Sequence, residues 1–488
     1  MKRQALLALS ASLAALGLAS QGIAQKAPRP ISQNSARQAA QQHPQIVAEF
    51  GGEETGPRAA YVASVGRKVA ANAGVQGQGS AFRFTVLNSP VNNAFAVPGG
   101  NIYITRQLLG LMNDEAELAL VLGHEVGHID GRHSRERSRG TILSSVLAGL
   151  AGIVTGSSQI AQAAGQIGQT YLLSFSRNQE YEADDFGIRY ISSSGYDPNA
   201  AASIFSSLGA ATNLEARAAG RSDERSTPTW ARTHPLSEDR VRRATAQAQR
   251  TGLAGRGARN RDQFLAQIDG LLVGDDPRQG VIEGSQFLHP DLRLAFTAPQ
   301  GYGMQNGSRA VSIVGSGGQA QFATGQFNGN LGSYIGQVYQ GLVGQQAGQL
   351  QIPQPRATNV NGIPAAYTTA RVATQQGQLD VSVFAYQWDA NTAYHFVMIT
   401  QAGVGIGPFA PMVGSVRRLG TAEAQAIRPR VIDVVTVRPG DTVQSLAGRM
   451  AYQDLRLERF LTLNALTANT QLRPGDKVKL VVFGTRQG

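Results

Sequence analysis

The stretch His124-Glu125-Val126-Gly127-His128 decides the reading of this chain. Two imidazoles four residues apart lie one above the other on a helix face and can both reach one ion. Zinc in a hydrolytic site takes three protein ligands and leaves a fourth position for water, whose pKa falls toward ~7 on the metal. Glu125, adjacent to the first imidazole and not itself a ligand, is placed to take that water's proton and pass it to a leaving amine. Asn113 and Asp114 supply cap and first-turn signals for this helix, which is expected to run to about Asp130. Val121 and Glu125 share the histidine face, and Ala119, Leu122, Val126 and Ile129 read as an opposite, core-facing stripe, so the helix is expected to be amphipathic.

A third ligand is needed, and the segment Glu180-Tyr181-Glu182-Ala183-Asp184 offers one on the next strong helix, expected from Asn178 to about Ser193. Its end carboxylates are again at i and i+4. Glu180 can complete the coordination, and Asp184 can accept the free ring N–H of a metal-bound histidine and so fix its tautomer. His133 sits on a short Arg/His stretch and reads as structural. His234-Pro235, with Arg240 six residues on, is the remaining candidate for the cleft, although spacing alone does not place it there.

Short strands are expected at Arg83 to Leu87, Ala94 to Val97 and Ile102 to Thr105, around the Pro98-Gly99-Gly100 turn, after a helix from Ala59 to Gly74. Asp197-Pro198 opens a further helix by the Asx-cap and first-turn-proline rule. Helical sequence resumes after Pro235 and fades in the Gly/Arg-rich Thr251 to Arg261.

The ends and the composition bound the setting. Lys2 and Arg3, an apolar run from Ala5 to Leu18 and small residues before Gln25 read as a signal peptide over 1–24; the run is short of the ~20 residues a membrane span needs. The 488 residues contain no cysteine, which excludes disulfides, thiolate zinc sites, thiol nucleophiles and a lipid-modified cysteine after the leader. The formal net charge of +11 is carried mostly by arginine, as in Arg132 to Arg139. On an exported chain this points to anionic lipid, lipopolysaccharide or cell wall as a neighbour, with peripheral membrane contact, and not to nucleic acid.

The division expected is a flexible polar arm at 25–57, a zinc-binding domain at 58–255, a linker at 256–283, a separate α+β domain at 284–420, a linker at 421–433 and a last unit at 434–482. The stretch Gly140 to Ser176 carries no charge and reads as a buried or surface-associated helical hairpin. The middle domain shows alternating strands at Ala310 to Val314, Leu379 to Tyr386 and Ala393 to Ile399, interrupted by one helix near Leu331 to Val343. His289 and His395 are isolated there and read as structural.

Four motifs in order carry a resemblance: Asn93-Ala94-Phe95-Ala96-Val97-Pro98-Gly99-Gly100, the histidine pentad, Ser176-Arg177-Asn178-Gln179 running into Glu180 to Asp184, and Thr233-His234-Pro235 to Arg240. Over roughly Asn92 to Ala246 the chain resembles the CaaX prenyl endopeptidase/HtpX family of zinc metallopeptidases, most closely its soluble periplasmic branch. The resemblance implies a mainly helical, gluzincin-type zincin domain with a small edge sheet. It implies one zinc ion per chain on His124, His128 and Glu180, with Glu125 as general base and Asp184 supporting a ligand. Arg240 would stabilise the oxyanion and His234 would occupy the open zinc position at rest. Ala94, Phe95, Ala96 and Val97 would border the cleft, where a peptide pairs as an added strand. The helical repeats that follow the catalytic domain in that branch are not evident here.

The last unit resembles a LysM module. Val437-Arg438-Pro439-Gly440-Asp441-Thr442-Val443 and Leu472-Arg473-Pro474-Gly475-Asp476-Lys477-Val478 place Pro-Gly-Asp turns before a helix and before a final strand, in βααβ order. This implies either glycan binding, at the loops Gly440 to Thr442 and near Asn464, or a structural or protein-docking use. The expected function is a periplasmic zinc endopeptidase acting on unfolded or misassembled envelope proteins, with peptidoglycan reached through the LysM-like unit. The alternatives are an envelope chaperone with a latent zinc site and a peptidoglycan peptidase.

Overall fold

The structure is a computed structural model that describes residues 28–133, 175–218, 234, 238–343, 351–374 and 377–485. The expected signal peptide lies outside the described residues, as do most of the Gly140 to Ser176 stretch and most of the Arg132 to Arg139 cluster. Among the described residues no helix is long and apolar enough to cross a membrane.

The N-terminal domain is built from helices α1 (Gln33–Glu49), α2 (Pro57–Ala70), α3 (Arg106–Leu111), α4 (Glu115–Asp130), α5 (Arg177–Ser193), α6 (Ala200–Ala218), α7 (Glu238–Arg250) and α8 (Arg261–Ile268). A three-stranded sheet of β1 (Arg83–Leu87), β2 (Ala94–Val97) and β3 (Asn101–Thr105) lies beside them in the order β1-β3-β2. β1 runs parallel to β3 and β2 antiparallel to it, so β2 is an edge strand.

The segment expected to be a flexible arm is ordered where it is described. α1 is capped by the Ser32 side chain and buries Ala39 and Ile46 against Leu87, Phe95, Val97 and Tyr103. The Phe50 and Phe95 rings meet at a tilt with centroids 5.3 Å apart, and His43 Nδ1 lies 2.9 Å from the Tyr103 hydroxyl. The Gln-rich composition hid this packing because few of the helix's own residues are apolar.

Helix α4 is also different from its expected form. Asp114 caps it by accepting from the Glu117 N–H at 3.0 Å, and Glu115 and Glu117 in the first turn suit the positive end of the helix dipole. Every residue from Glu115 to His128 is buried, so the helix is central and not amphipathic. Its polar side chains are tolerated because each has partners: Glu115 accepts from the Tyr61 and Tyr196 hydroxyls and from Asn260, and Glu117 from the Ser203 hydroxyl and the Asn113 N–H.

The middle domain is a seven-stranded antiparallel sheet in the order Arg356–Val360, Ile363–Thr374, Gly377–Gln387, Thr392–Gln401, Gly318–Gln326, Val311–Gly315 and Gly303–Asn306, with the helix Leu331–Val343 packed on one face. A four-stranded sheet packs with its other face through Phe287, Phe296, Phe322 and Phe396. The His395 ring lies 2.8 Å from the Tyr334 hydroxyl inside this domain, a structural position.

The two expected linkers are packed structure. The first contributes α8, whose Phe264, Leu265 and Ile268 are buried, and β4 (Leu272–Val273). The second contains the helix Thr421–Ala426 and the start of the strand Arg430–Thr436. β4 pairs with that strand, which pairs in turn with Lys477–Phe483, so the LysM-like sheet gains a third strand from the chain that leaves the first domain. Between the outer strands of the βααβ unit stand helices Val443–Gly448 and Arg456–Asn464.

One apolar core runs through both ends of the chain, joining Leu108, Leu111 and Leu271 with Ile432, Phe460 and Leu480. Lys479 is buried at this junction and its ammonium donates to the carbonyls of Gly110 at 2.9 Å, Leu111 at 3.1 Å and Met112 at 2.6 Å. The last carbonyls of α3 have no helical partner and take these N–H donors, while burial pushes the pKa of the Lys479 amine down to about 7. Arg261 adds bonds to the Asn113 and Lys477 carbonyls, and Arg217 pairs with Glu458. Replacing Lys479 by Met keeps the length of the side chain and removes the donor from three carbonyls. The expected cost is about 1–3 kcal/mol, read as a lower urea midpoint for the full chain; an unchanged midpoint would show that the junction does not depend on this ammonium.

Candidate metal centre

Helices α4 and α5 cross closely, and glycines make the approach possible. A Cβ on Gly127 would fall 2.9 Å from Phe186 Cβ and one on Gly187 would fall 3.2 Å from the His124 nitrogen, while Gly123 makes room for α2, a Cβ there falling 3.0 Å from Val69 Cγ1. α5 begins at Ser176, which caps it reciprocally with Gln179, so that Glu180 stands in its first turn opposite the histidines.

His124, His128, Glu180 and His234 are buried together, with one donor atom from each lying within 4.8 Å of all the others. His124 Nε2 is 3.0 Å from His128 Nε2 and 3.2 Å from His234 Nδ1. Glu180 lies 3.6 Å from each of His124 and His128, and both its oxygens are 3.0 Å from His234 Nδ1. Three imidazoles and a carboxylate from three separate segments, converging without cysteine, make a donor set that fits a divalent transition metal. Glu125, fully buried, lies 3.6 Å from His234 Nε2 and is outside the four-residue group.

The surroundings orient the imidazoles. His124 Nδ1 is 2.9 Å from Asp184, which leaves Nε2 toward the group. His128 is stacked on Phe175 at 3.7 Å, and its Nδ1 is 2.9 Å from His133 Nδ1. Arg240 is paired with carboxylates of α5. Its Nε and Nη2 donate to Asp184 at 2.9 and 2.7 Å, its Nη1 is 3.0 Å from Glu180, and its guanidinium lies 4.6 Å from the centre of the Phe205 ring. The guanidinium therefore sits behind the ligands and holds both carboxylates. His234 is brought into the group itself.

On β2, Phe95 and Val97 pack toward α1, whereas Ala94 and Ala96 belong to the face that meets the main core. Reading the sequence missed Gly123, Gly127, Gly187, Phe175 and the contact of His133. Glycines inside two strong helices were the available signal for the first three.

The electrostatics follow from burial and pairing. Burial works against a charged imidazole at His124, but Asp184, Glu180 and Glu125 outweigh it and hold its pKa above the ordinary 6.5. Burial pushes Glu180 and Asp184 up, yet His234, His124 and Arg240 outweigh it and hold Glu180 below its ordinary 4.5, and Arg240 and His124 hold Asp184 below 3.8. A carboxyl lowered on folding contributes stability that is fully present above its unfolded pKa and is lost as the pH falls through its folded value. In the metal-free protein, Asp184→Asn is therefore expected to cost about 3–5 kcal/mol near neutral pH, because Arg240 is left incompletely paired. Urea titrations across pH should show this gap narrowing below about pH 4; a gap that stays constant would contradict the assignment.

Residues 57–248 match Peptidase family M48, and residues 435–481 match the LysM domain. The mitochondrial metalloendopeptidase OMA1 of Schizosaccharomyces pombe is 30% identical over 42% of this chain and 59% of its own length. The beta-barrel assembly-enhancing protease of Yersinia pestis is 30% identical over 37% of each chain. The metalloprotease LoiP of Escherichia coli is 35% identical over 24% of this chain and 47% of its own. The matched region thus spans less than two thirds of each of these relatives.

Proposed function

Because residues 57–248 are a peptidase family M48 domain and residues 435–481 a LysM domain, we propose that the chain is a zinc-dependent endopeptidase of the bacterial envelope. Its substrates are misassembled or damaged envelope proteins. The observation that carries this reading is the buried group of His124, His128, Glu180 and His234 with the Glu125 carboxylate beside it.

His124, His128 and Glu180 would hold the zinc. Bound there, it supplies a Lewis acid that makes water nucleophilic near neutral pH and polarises a peptide carbonyl. Glu125 takes the proton from the attacking water and hands it to the leaving amine, a transfer that contributes typically ~10²–10⁴ in rate. Asp184 keeps the His124 proton on Nδ1, and Arg240 fixes the carboxylates of Asp184 and Glu180. The outer edge of β2 takes the substrate as an added antiparallel strand through its backbone. The names of the relatives support the same chemistry, and that of the beta-barrel assembly-enhancing protease supports an envelope setting.

His234 favours a second reading, in which the site is latent at rest. Its Nδ1 lies among the donor atoms of His124 and Glu180, where it would compete with a water or a substrate carbonyl for a bound metal. Export to the periplasm rests on the N-terminal sequence. A wall contact rests on the LysM domain, whose turns Arg438 to Gly440 and Arg473 to Asp476 are exposed. Asn464 itself is buried with its amide bonded to the Lys479 backbone on both sides, and the loop that follows it is exposed at Ala465 and at Thr467 to Asn469.

The test compares the mature chain with its Glu125→Gln and His234→Ala forms on an unfolded protein and on purified sacculi. Zinc-dependent cleavage of the unfolded protein is expected, lost in Glu125→Gln with zinc retained and faster in His234→Ala. Cleavage that survives Glu125→Gln would refute the mechanism. Cleavage confined to sacculi would favour a peptidoglycan peptidase, and no cleavage by any form would favour a chaperone.

A further inference from the structure

His124 and His128 occupy successive turns of one helix, yet only His124 has a carboxylate on its Nδ1. We propose that His133 and Glu182 are a positioning pair for His128, fixing its tautomer and ring orientation through a chain of two hydrogen bonds. The proposal rests on the zinc reading of the site given above.

The geometry sets the direction of both bonds. For His128 to turn an unprotonated Nε2 toward His124 and Glu180, its proton must be on Nδ1. That N–H donates across 2.9 Å to His133 Nδ1, which must therefore be the acceptor and carry its own proton on Nε2. His133 Nε2–H then donates to Glu182 Oε2 at 3.3 Å. The carboxylate thus selects one tautomer of His133, and His133 selects one tautomer of His128. Asp184 does the same for His124 in a single step.

The local chain is built for this return. α4 ends at Asp130, and Arg132 adopts the left-handed conformation with φ 56°, which brings His133 back beneath the helix. Gly131 leaves room for the ring, since a Cβ there would fall 2.5 Å from His133 Nε2. Phe175 stacks on the His128 ring with an interplanar angle of 15°, so the imidazole is held in its plane as well as by its Nδ1. His133 is buried at 4% exposure, whereas the Glu182 side chain is 57% exposed, so the pair links a buried ligand to the surface. The three acids of Glu180 to Asp184 then have three partners: Glu180 the ligand group, Glu182 His133, and Asp184 His124.

The full-length mature protein is compared with His133→Leu, His133→Gln and Glu182→Ala. The readouts are the zinc dissociation constant, by chelator competition, and the visible absorption of the cobalt-substituted protein; neither requires turnover. Partners of metal-bound histidines are worth roughly 10–100-fold in affinity. His133→Leu is expected to weaken zinc binding by that factor and to shift the cobalt bands. His133→Gln, whose amide can accept from His128 and donate to Glu182, should recover most of both, and Glu182→Ala should give a severalfold loss. Zinc affinity and cobalt spectra unchanged in His133→Leu would overturn the proposal. If that variant does not fold, Glu182→Ala decides: weaker zinc binding with shifted bands supports the pair, and unchanged values overturn it. Absence of zinc and cobalt uptake by the unaltered protein would instead refute the metal site itself, and the pair with it.

Discussion

The buried group of histidines and carboxylates depends on how closely α4 and α5 approach. Gly127 on one helix and Gly187 on the other remove the side chains that would hold them apart. The backbones then come near enough for a first-turn carboxylate of α5 to face two imidazoles of α4. Interiors are packed too densely to absorb an added methyl group at such a crossing without movement. The site is therefore a property of two rigid helices, which is where a metal centre is best defined.

The same closeness creates an electrostatic problem. Glu125, Glu180 and Asp184 are all buried, and an unpaired buried carboxylate is strongly unfavourable. Arg240 answers part of it by pairing with Glu180 and Asp184 at once. The imidazoles answer another part, which is why the pKa of His124 is raised and those of Glu180 and Asp184 are lowered. A divalent cation adds to this balance with the same sign as Arg240.

Much of the site was legible in the sequence because its chemistry is periodic. Imidazoles at 124 and 128 and acids at 180 and 184 announce themselves by spacing, and Asp114 and Ser176 announce the helix starts. What escaped were features decided by tertiary contact. α1 looked like a loose arm because its apolar contacts are supplied largely by the sheet beneath it. α4 looked amphipathic because its polar residues are ligands and bonded acids inside a core. His133 looked structural because its partner is reached only after the chain reverses at Arg132. The linkers looked unstructured because their helices and strands are short and pack on neighbouring parts of the chain.

The LysM domain changes meaning in the same way. It shares a core and a sheet with the parts that precede it, and Lys479 closes the end of α3, so it is fixed on the peptidase domain. Any wall contact made by its exposed turns would hold the catalytic cleft in one orientation. The central claim is the composition of the metal centre, and zinc K-edge X-ray absorption of the full chain tests it most directly. The account expects nitrogen and oxygen neighbours at about 2.0–2.1 Å with outer-shell imidazole scattering that falls when His124 or His128 is replaced; a further imidazole that is lost in His234→Ala marks the latent state. Imidazole scattering unchanged on replacing His124 and on replacing His128 would contradict it.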